Sequence, residues 1–553
     1  MSLLKYILAT VLLVSVYAIE YRVIVPEQPS KVSVLIDGTH FSLEADHIFP
    51  ILYKGNGPIA QSGYQYHTNQ TESFMRRPVQ KNTPNEFFDR SWNTQIPLPL
   101  PQIYAPLPAI DRISSALHKS NEIPTIHLLA DPAQINALHR NISADLAIQT
   151  QLHYLSNHDL QQRPEVELSL SGRTSRNLPK LAYNLKLKTD LYGYRRLKLR
   201  SLSTDPSYIR EQVSYNFIRS VGLISSEFSY VRLVINQQPM GLFGLVDTFK
   251  GNWLSNVFAN GRADYERGIL YEGVRHTSAS EALGLRSDLS FMSNLTSYGA
   301  GQYKIKVKGV EKKGYRPLQK LTRFIANAPN DTKIWNKHLD TESFLRSMAL
   351  EVLLGYGDGY LTMCDNFYLY QHPDTKQFIY IPSDLDLTLG NTFFKQSDMT
   401  SGNYSRIPAI HTRPLFINMM RIPEFKQRFE WLIQDINLKL MDPALIFSHY
   451  KRIADLITED VAWDQKLPRV GGTYYSEIAG AIQTHNTQIT SQAHVPDNAD
   501  VPSLIDMGLR LDGSIPFKQA IDGPTGHISL PSIKDWFFTV YHNINNFFRD
   551  LQN

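Results

Sequence analysis

The chain has 553 residues, with 56 Lys and Arg against 52 Asp and Glu, and is 42% hydrophobic and 20% charged. That composition excludes a disordered chain, and the near balance of charge, with no long run of one sign, argues against a nucleic-acid binder. Cys364 is the one cysteine, so no intramolecular disulfide can form, and stability must come from about two or three hydrophobic cores, as this length permits.

Residues 1–18 read as a signal peptide. Lys5 supplies a positive start, Tyr6 to Val16 is almost wholly apolar, and Val16-Tyr17-Ala18 offers a small-residue cleavage pattern. The run is too short for a comfortable membrane span, and no later stretch approaches one. Sequons at Asn69, Asn141, Asn294, Asn330 and Asn403 fit a eukaryotic secretory route and would mark surface positions. The expected location is therefore secreted: extracellular, cell wall or secretory lumen.

A small β-rich domain is predicted over 19–95. Tyr21, Val23 and Val25 alternate, as do Val32, Val34 and Ile36 ahead of an Asp37-Gly38 turn. A linker over 96–120 follows, where Pro97, Pro99, Pro101, Pro106 and Pro108 exclude helix and central strand. The main domain is predicted over 121–480. Its first part is sheet: Val166, Leu168 and Leu170 alternate into a small polar loop, and Tyr183 to Lys188 and Arg196 to Arg200 are strands with cations along one side. A helix is predicted after Asp205 as N-cap, with Pro206 in its first turn and Gly222 past its end. Strands Tyr230 to Ile235 and Leu242 to Val246 are joined through Pro239 and Gly241. Beyond about 315 the pattern is helical. Asp340 caps a helix that stops at Gly355, Gly357 and Gly359, and further helices are expected near 423–440 and 444–458. A C-terminal extension over 481–553 ends in an aromatic helix, read as docked on the core rather than on a membrane because it carries little positive charge. It lacks the pattern of a GPI anchor, so no stable membrane anchor is expected.

The segment Glu351 to Gly390 concentrates the chemistry. Asp358 sits in a glycine-rich loop, Asp365-Asn366 follows, and Asp384, Asp386 and Thr388 alternate with Leu385, Leu387 and Leu389. As an extended strand, the last segment would turn both carboxylates to one face. Paired carboxylates in a partly buried site repel unless a cation relieves them, and hard oxygen donors suit Mg²⁺, Mn²⁺ or Ca²⁺. Phosphoryl transfer needs a base for the attacking hydroxyl, an amide and a carboxylate for metal, and a cation for the phosphates. Asp358 is the candidate base, and Asn366, Asp384 and Asp386 the candidate metal ligands. Lys186 or Lys198 is the candidate phosphate lysine and Glu211 its helix-borne partner. Gly172, Arg173, Ser175 and Arg176 form the loop that could cover the phosphates. No zinc motif, nucleophile elbow or Walker loop is present, and Cys364 reads as packing.

Four ordered segments carry a resemblance: "SGRTSRNLPKLAYNLKL", "LKLRSLSTDPSYIREQVSYNFIRSVG", "YVRLVINQQPMGLFGLVD" and "DNFYLYQHPDTKQFIYIPSDLDLTLG". Over roughly 160–390 the chain resembles the spore-coat protein H family, the CotH kinases, and especially its fungal exported branch. The resemblance implies an α+β fold: an atypical protein-kinase-like arrangement with a β-rich N-lobe and a mostly helical C-lobe, preceded by the small β-rich domain. It implies ATP with Mg²⁺ or Mn²⁺ and phosphorylation of Ser or Thr in exported, coat or cell-wall proteins. Asp358 resembles the catalytic-loop aspartate, and Asn366, Asp384 and Asp386 the metal-binding positions. Lys186, at a kinase-like distance after the loop, is favoured over Lys198 as the nucleotide lysine. Three departures stand out. Ser171 replaces an Arg common before the loop glycine, and Ser383 a Trp before the first Asp. The Asp358–Asn366 gap exceeds the five-residue step of ordinary kinases. The alternative class is an adhesin or invasin that keeps the fold but binds a host surface protein.

Overall fold

The computed structural model describes residues 18–91, 94, 99–172, 174–472, 498–511 and 513–552. Nearly all of the expected signal peptide, Pro97 of the proline tract, Arg173 of the polar loop, and 481–497 of the C-terminal extension lie outside the described residues. The fold is mixed α+β.

The first unit is a six-stranded sheet of β1 (Ala18–Ile24), β2 (Val32–Ile36), β3 (Thr39–Ala45), β4 (Leu52–Pro58), β5 (Tyr64–His67) and β6 (Glu86–Phe87), in the order β5-β2-β3-β4-β1-β6. The β2–β3 hairpin closes through Asp37 and Gly38 at φ 44° and 85°, the positive values that an Asp-Gly turn supplies at low cost. Tyr21, Val23, Val34, Tyr64 and Tyr66 fill its core.

The second unit is a closed seven-stranded barrel of β7 (Thr125–Leu129), β8 (Ala147–Leu155), β9 (Leu160–Leu170), β10 (Tyr183–Leu191), β11 (Tyr194–Arg200), β12 (Phe228–Ile235) and β13 (Gln238–Asp247). Leu185, Leu197, Leu199, Leu233 and Leu245 point inward, so Lys198 and Arg200 stand on the outside of β11. The β12–β13 turn lies at Asn236, φ 54°, and Pro239 and Gly241 fall inside β13 rather than in the turn, beside a register shift.

The third unit joins a sheet, ordered β15-β14-β16-β17, to helices. Its strands are β14 (Ile269–Gly273), β15 (Tyr303–Lys308), β16 (Phe367–Gln371) and β17 (Phe378–Pro382). The Thr341–Leu353 helix is capped by Asp340, which accepts from Ser343 N at 2.9 Å, and packs on β17. Helices Pro423–Leu440 and Pro443–Asp464 follow the predicted pattern. The terminal helix Ile533–Gln552 docks on this core: Trp536 is fully buried, and its Nε1 donates to Leu353 O at 3.2 Å.

Buried charges lock the units together. Asp460 of the Pro443–Asp464 helix accepts from Arg232 on β12 at 2.7 Å and from Arg90, after the first sheet, at 3.0 Å. Lys180, after the polar loop, reaches Asp464 at 2.6 Å.

Two expectations need correction. The proline tract is extended but is no free linker. Leu100 and Leu107 are buried in the main core, and Ile103 N and Leu107 N bond to Ser220 O and Gly222 O, because apolar residues between the prolines find a helix end to cover. The helix after Asp205 begins later than predicted, at Arg210. The Asp205 carboxylate accepts from Ser207 N at 2.9 Å, from Arg210 N, the first helical N–H, at 2.9 Å and from the Arg210 guanidinium, so it closes the intervening turn and caps the helix from five residues upstream. Gly222, φ 69°, does end it. Asn69, Asn141, Asn294 and Asn330 are exposed and Asn403 is half-buried. No helix among the described residues is long and apolar enough to cross a membrane.

Candidate functional site

Asp358 lies in the loop between the Thr341–Leu353 helix and β16 and is half-buried. Asn366, eight residues on, donates from Nδ2 to Asp358 Oδ2 at 2.6 Å. Asn366 takes φ 56°, a left-handed conformation in which Asn is among the better tolerated residues. This turn gives Asn366 a reach to Asp358 despite the long gap in sequence.

The Asp384–Asp386 segment is not the expected strand. β17 ends at Pro382, and Asp384 adopts φ 55°, outside any extended conformation. The carboxylates nonetheless share a side, because Leu385 and Leu389 are fully buried and hold the opposite face. Ser383 fixes the join: its N and its Oγ both donate to Asn366 O, at 2.9 and 3.0 Å. The serine that departs from the family pattern thus ties the two acidic segments together.

Arg200 is the cation at the centre. Its Nη2 lies 2.5 Å from Asp384 Oδ1 and 3.3 Å from Asp386 Oδ1, and its Nε donates to Glu211 Oε2 at 3.0 Å. Lys198 Nζ is 3.6 Å from Asp384 Oδ2. Thr204 Oγ1 donates to Asp386 Oδ2 at 3.0 Å. The stretch from β11 into the Arg210–Ser220 helix therefore delivers Lys198, Arg200, Thr204 and Glu211 to one place.

The charges set distinct proton affinities. Burial, then repulsion from Asp386, Asp384 and Asp365, pushes Asp358 well above the carboxylate range. Burial also works to raise Asp384, but Arg200 and Lys198 outweigh it and hold that carboxyl far below the usual range. Asp386 is raised by burial and by Asp384. Burial pushes Glu211 up to about 7 against the pull of Arg200, and pulls Lys198 down, with Arg200 adding to the effect. One strongly acidic and one weakly acidic carboxyl thus face the same space, the arrangement that separates a permanent anion from a group that holds its proton until a cation offsets its neighbours.

Lys186 is not brought to this cluster. It pairs across the ladder with Arg196, stands exposed on β10, and bonds Glu167 at 3.0 Å. Lys198 is the lysine at the aspartates. The polar loop also stays apart in its contacts. Arg176 is spent on Ile142 O, Ala144 O, Leu170 O and Asp145, and Ser175 packs against Gly172, whose φ of 88° and lack of a Cβ that position requires.

The sequence reading missed three residues of the site region. Arg200 follows Lys198 on the same strand face, so the alternation that singled out Lys198 marks it too. Glu351 and Arg413 support the Asp358 loop through its amides and its carbonyls respectively. Glu351, 3% exposed, accepts from Tyr360 N at 3.0 Å, Leu361 N at 2.8 Å and Tyr380 Oη at 3.3 Å. A Cβ on Gly359 would meet the Glu351 carboxylate at 2.7 Å, which explains a glycine there. Arg413 donates to the carbonyls of Tyr360, Leu361 and Thr362. Glu351 is legible only as the acid near the end of an apolar helix, and Arg413, some fifty residues away, gives no local signal.

Fold and site together define an α+β protein with a carboxylate-rich site where a β-barrel meets a helical unit. The chain belongs to the CotH kinase protein family, whose model matches residues 168–488 and so includes every residue of the cluster. Spore coat protein homolog 1 of Rhizopus delemar is 24% identical over 473 residues, 83% of this chain and 75% of that protein. Invasin CotH7 of the same organism is 24% identical over 474 residues, 83% of this chain and 76% of its own. Inner spore coat protein H of Bacillus subtilis is 24% identical over 357 residues, 62% of this chain and 90% of that protein.

Proposed function

We propose that the chain is an ATP- and metal-dependent protein kinase of the secretory route, phosphorylating Ser or Thr of exported or cell-surface proteins. The observation that carries this reading is the convergence of Asp358, bonded by Asn366 at 2.6 Å, with Asp384 and Asp386, both of which lie against one guanidinium that is itself bonded to a helix-borne glutamate. In this reading the barrel plays the N-lobe and the helical unit the C-lobe of a kinase. In its ionised form, which a divalent ion held by Asp384 and Asp386 would favour, Asp358 takes the proton of the acceptor hydroxyl as the hydroxyl oxygen bonds the γ-phosphorus, and ADP leaves with the electrons of the broken bridge bond. Lys198 steadies the phosphates, while Glu211 and Arg200 hold the barrel side of the site.

The donor set fits a divalent ion. Mg²⁺ is typically held by one or two carboxylates plus substrate phosphates and needs no full cage of protein ligands; among the described residues no group of three His, Cys, Asp or Glu is placed to form one. Asp384 and Asp386 supply hard oxygens, and Asn366 Oδ1 is the amide oxygen left over when Nδ2 binds Asp358. When bound, the ion would neutralise phosphate charge. The names of the relatives, spore coat proteins and invasins, support a coat or surface location, as does the leader-like start of the sequence.

The test is transfer from labelled ATP with Mg²⁺ or Mn²⁺ to a secreted-protein extract, comparing wild type with Asp358→Ala and Asp384→Ala. We expect each substitution to lower transfer by about 100-fold or more. No transfer by wild type, or transfer unchanged in both variants, refutes the reading. The second reading, an adhesin, is favoured by the invasin names of several relatives; it predicts host-cell binding that Asp358→Ala leaves intact.

A further inference from the structure

A cavity of about 360 Å³ adjoins the loop that carries Asp358 and Asn366. Thr362 and Met363, midway along that loop, form one wall, and Arg275, Arg286, Asp288 and Arg413 contribute to the rest. Three guanidinium groups face one carboxylate.

Arg413 makes the case. It is 4% exposed, yet its guanidinium bonds only carbonyl oxygens and Thr412 Oγ1, and no carboxylate pairs with it among the described residues. Burying a cation without a counter-charge is costly, so such a group is retained where an anion arrives from outside or where the backbone it holds must not move. Here the second applies, since the carbonyls it holds belong to the Asp358 loop, and the open cavity beside it leaves room for the first. The cavity wall also contains three non-glycine residues in the left-handed region, Arg275 at φ 49°, Ala409 at φ 66° and Asn498 at φ 59°, and strain of this kind collects at ligand sites.

We propose that this cavity binds an anionic side chain of the acceptor polypeptide, carboxylate or phosphoryl, and so sets the target hydroxyl at Asp358. The inference rests on the kinase reading and deepens it by naming the substrate class. Arginine forks match the planar oxygens of either group. Four residues of chain span at most about 14 Å, so the Thr362 wall lies within roughly two to four extended residues of Asp358. The enzyme would thus favour Ser or Thr with an acidic or already phosphorylated residue close by. A cationic ligand is disfavoured by the three arginines.

The test needs no catalysis. The full chain is titrated, without ATP, with serine peptides alike except for phosphoserine, glutamate or glutamine placed two to four residues away on either side. We expect one or both anionic peptides to bind about 10-fold or more tighter than the glutamine peptide, and Arg286→Glu, at an exposed position, to abolish the preference. Phosphoserine alone would identify the phosphoryl source and glutamate alone the carboxylate source. Arg413→Lys, which keeps the charge but loses the fork, should weaken the preference, with a thermal melt checking that each variant is folded. Equal binding of the three peptides, or a preference that survives Arg286→Glu, overturns the proposal. Failure of the kinase reading would show separately, as absent transfer from ATP with the binding preference intact.

Discussion

Arg200 donates from Nε to Glu211 Oε2 at 3.0 Å and turns Nη2 to within 2.5 Å of Asp384 Oδ1, so a single guanidinium joins the barrel, the Arg210–Ser220 helix and the loop after β17. Glu211 is 2% exposed, and among the described residues Arg200 is the cation that pairs with it. Removing Arg200 would therefore strand a buried glutamate and two aspartates together. Arg200→Met should cost about 3–5 kcal/mol, the usual range for breaking a buried pair from one side, read as a fall in the denaturant midpoint. Glu211→Gln, which keeps a hydrogen-bond acceptor, should cost clearly less. A midpoint for Arg200→Met equal to wild type would show that the guanidinium does not hold these elements together.

The two lysines separate in a second experiment. Lys198 approaches Asp384, whereas Lys186 is exposed beside Glu167. On the proposed kinase reading, in which Lys198 would contact phosphate, Lys198→Ala should raise the KM for ATP by about 10-fold or more. Lys186→Ala should change it little and alter stability by no more than about 0.5 kcal/mol, as expected for a surface pair. Steady-state kinetics with both variants decide it, and the reverse ranking would restore Lys186.

Parts of this site were legible because alternation fixes which side a residue takes. Leu197 and Leu199 must enter the barrel, so Lys198 and Arg200 must leave it. The same logic placed Asp384 and Asp386 on one side through Leu385, but it could not give the backbone: an Asp-Leu alternation fits a strand, and only Ser383 bonding to Asn366 O shows why the chain turns at Asp384 instead. Lys186 misled because its spacing from the polar loop is kinase-like, while the barrel's register sends it toward Glu167. Asp205 misled because its carboxylate also closes a turn through Ser207 N, so the helix it caps starts at Arg210 and not at Pro206. Contacts such as Arg413 with Tyr360 O depend on tertiary packing, which no local pattern encodes.

Glu351 gives a pH prediction with a definite sign. Burial outweighs the hydrogen bonds from Leu361, Tyr360 and Tyr380 and pushes its carboxyl from 4.5 up to about 7. The folded chain then holds this proton more tightly than the unfolded chain. Its contribution to stability is complete below pH 4.5 and is lost as pH rises through 7. Glu351→Gln cannot titrate, so the stability of wild type relative to the variant should fall between pH 4.5 and 7.5, by up to about 3 kcal/mol. Comparing the two proteins cancels other titrating groups. A difference that stays flat across this range would mean the Glu351 carboxyl ionises normally and is not the buried acceptor of the loop amides.

Cys364 reports on the same loop from within. It is fully buried at φ 56°, its carbonyl accepts from Arg275 N and Ser287 Oγ, and burial pushes its thiol up to about 12. Reaction with a disulfide reagent needs thiolate and access, and the native chain offers neither at pH 8. The folded protein should therefore show no labelling over hours and one thiol per chain after denaturation, since Cys364 is the sole cysteine. Cys364 sits between Asp358 and Asn366, so any opening that exposes it also parts the Asp358 carboxylate from the amide that bonds it. Fast labelling of the native protein would show that the loop opens readily and that the 2.6 Å contact between Asn366 and Asp358 is not pre-organised; slow labelling that tracks global unfolding would show that Glu351 and Arg413 keep the loop closed.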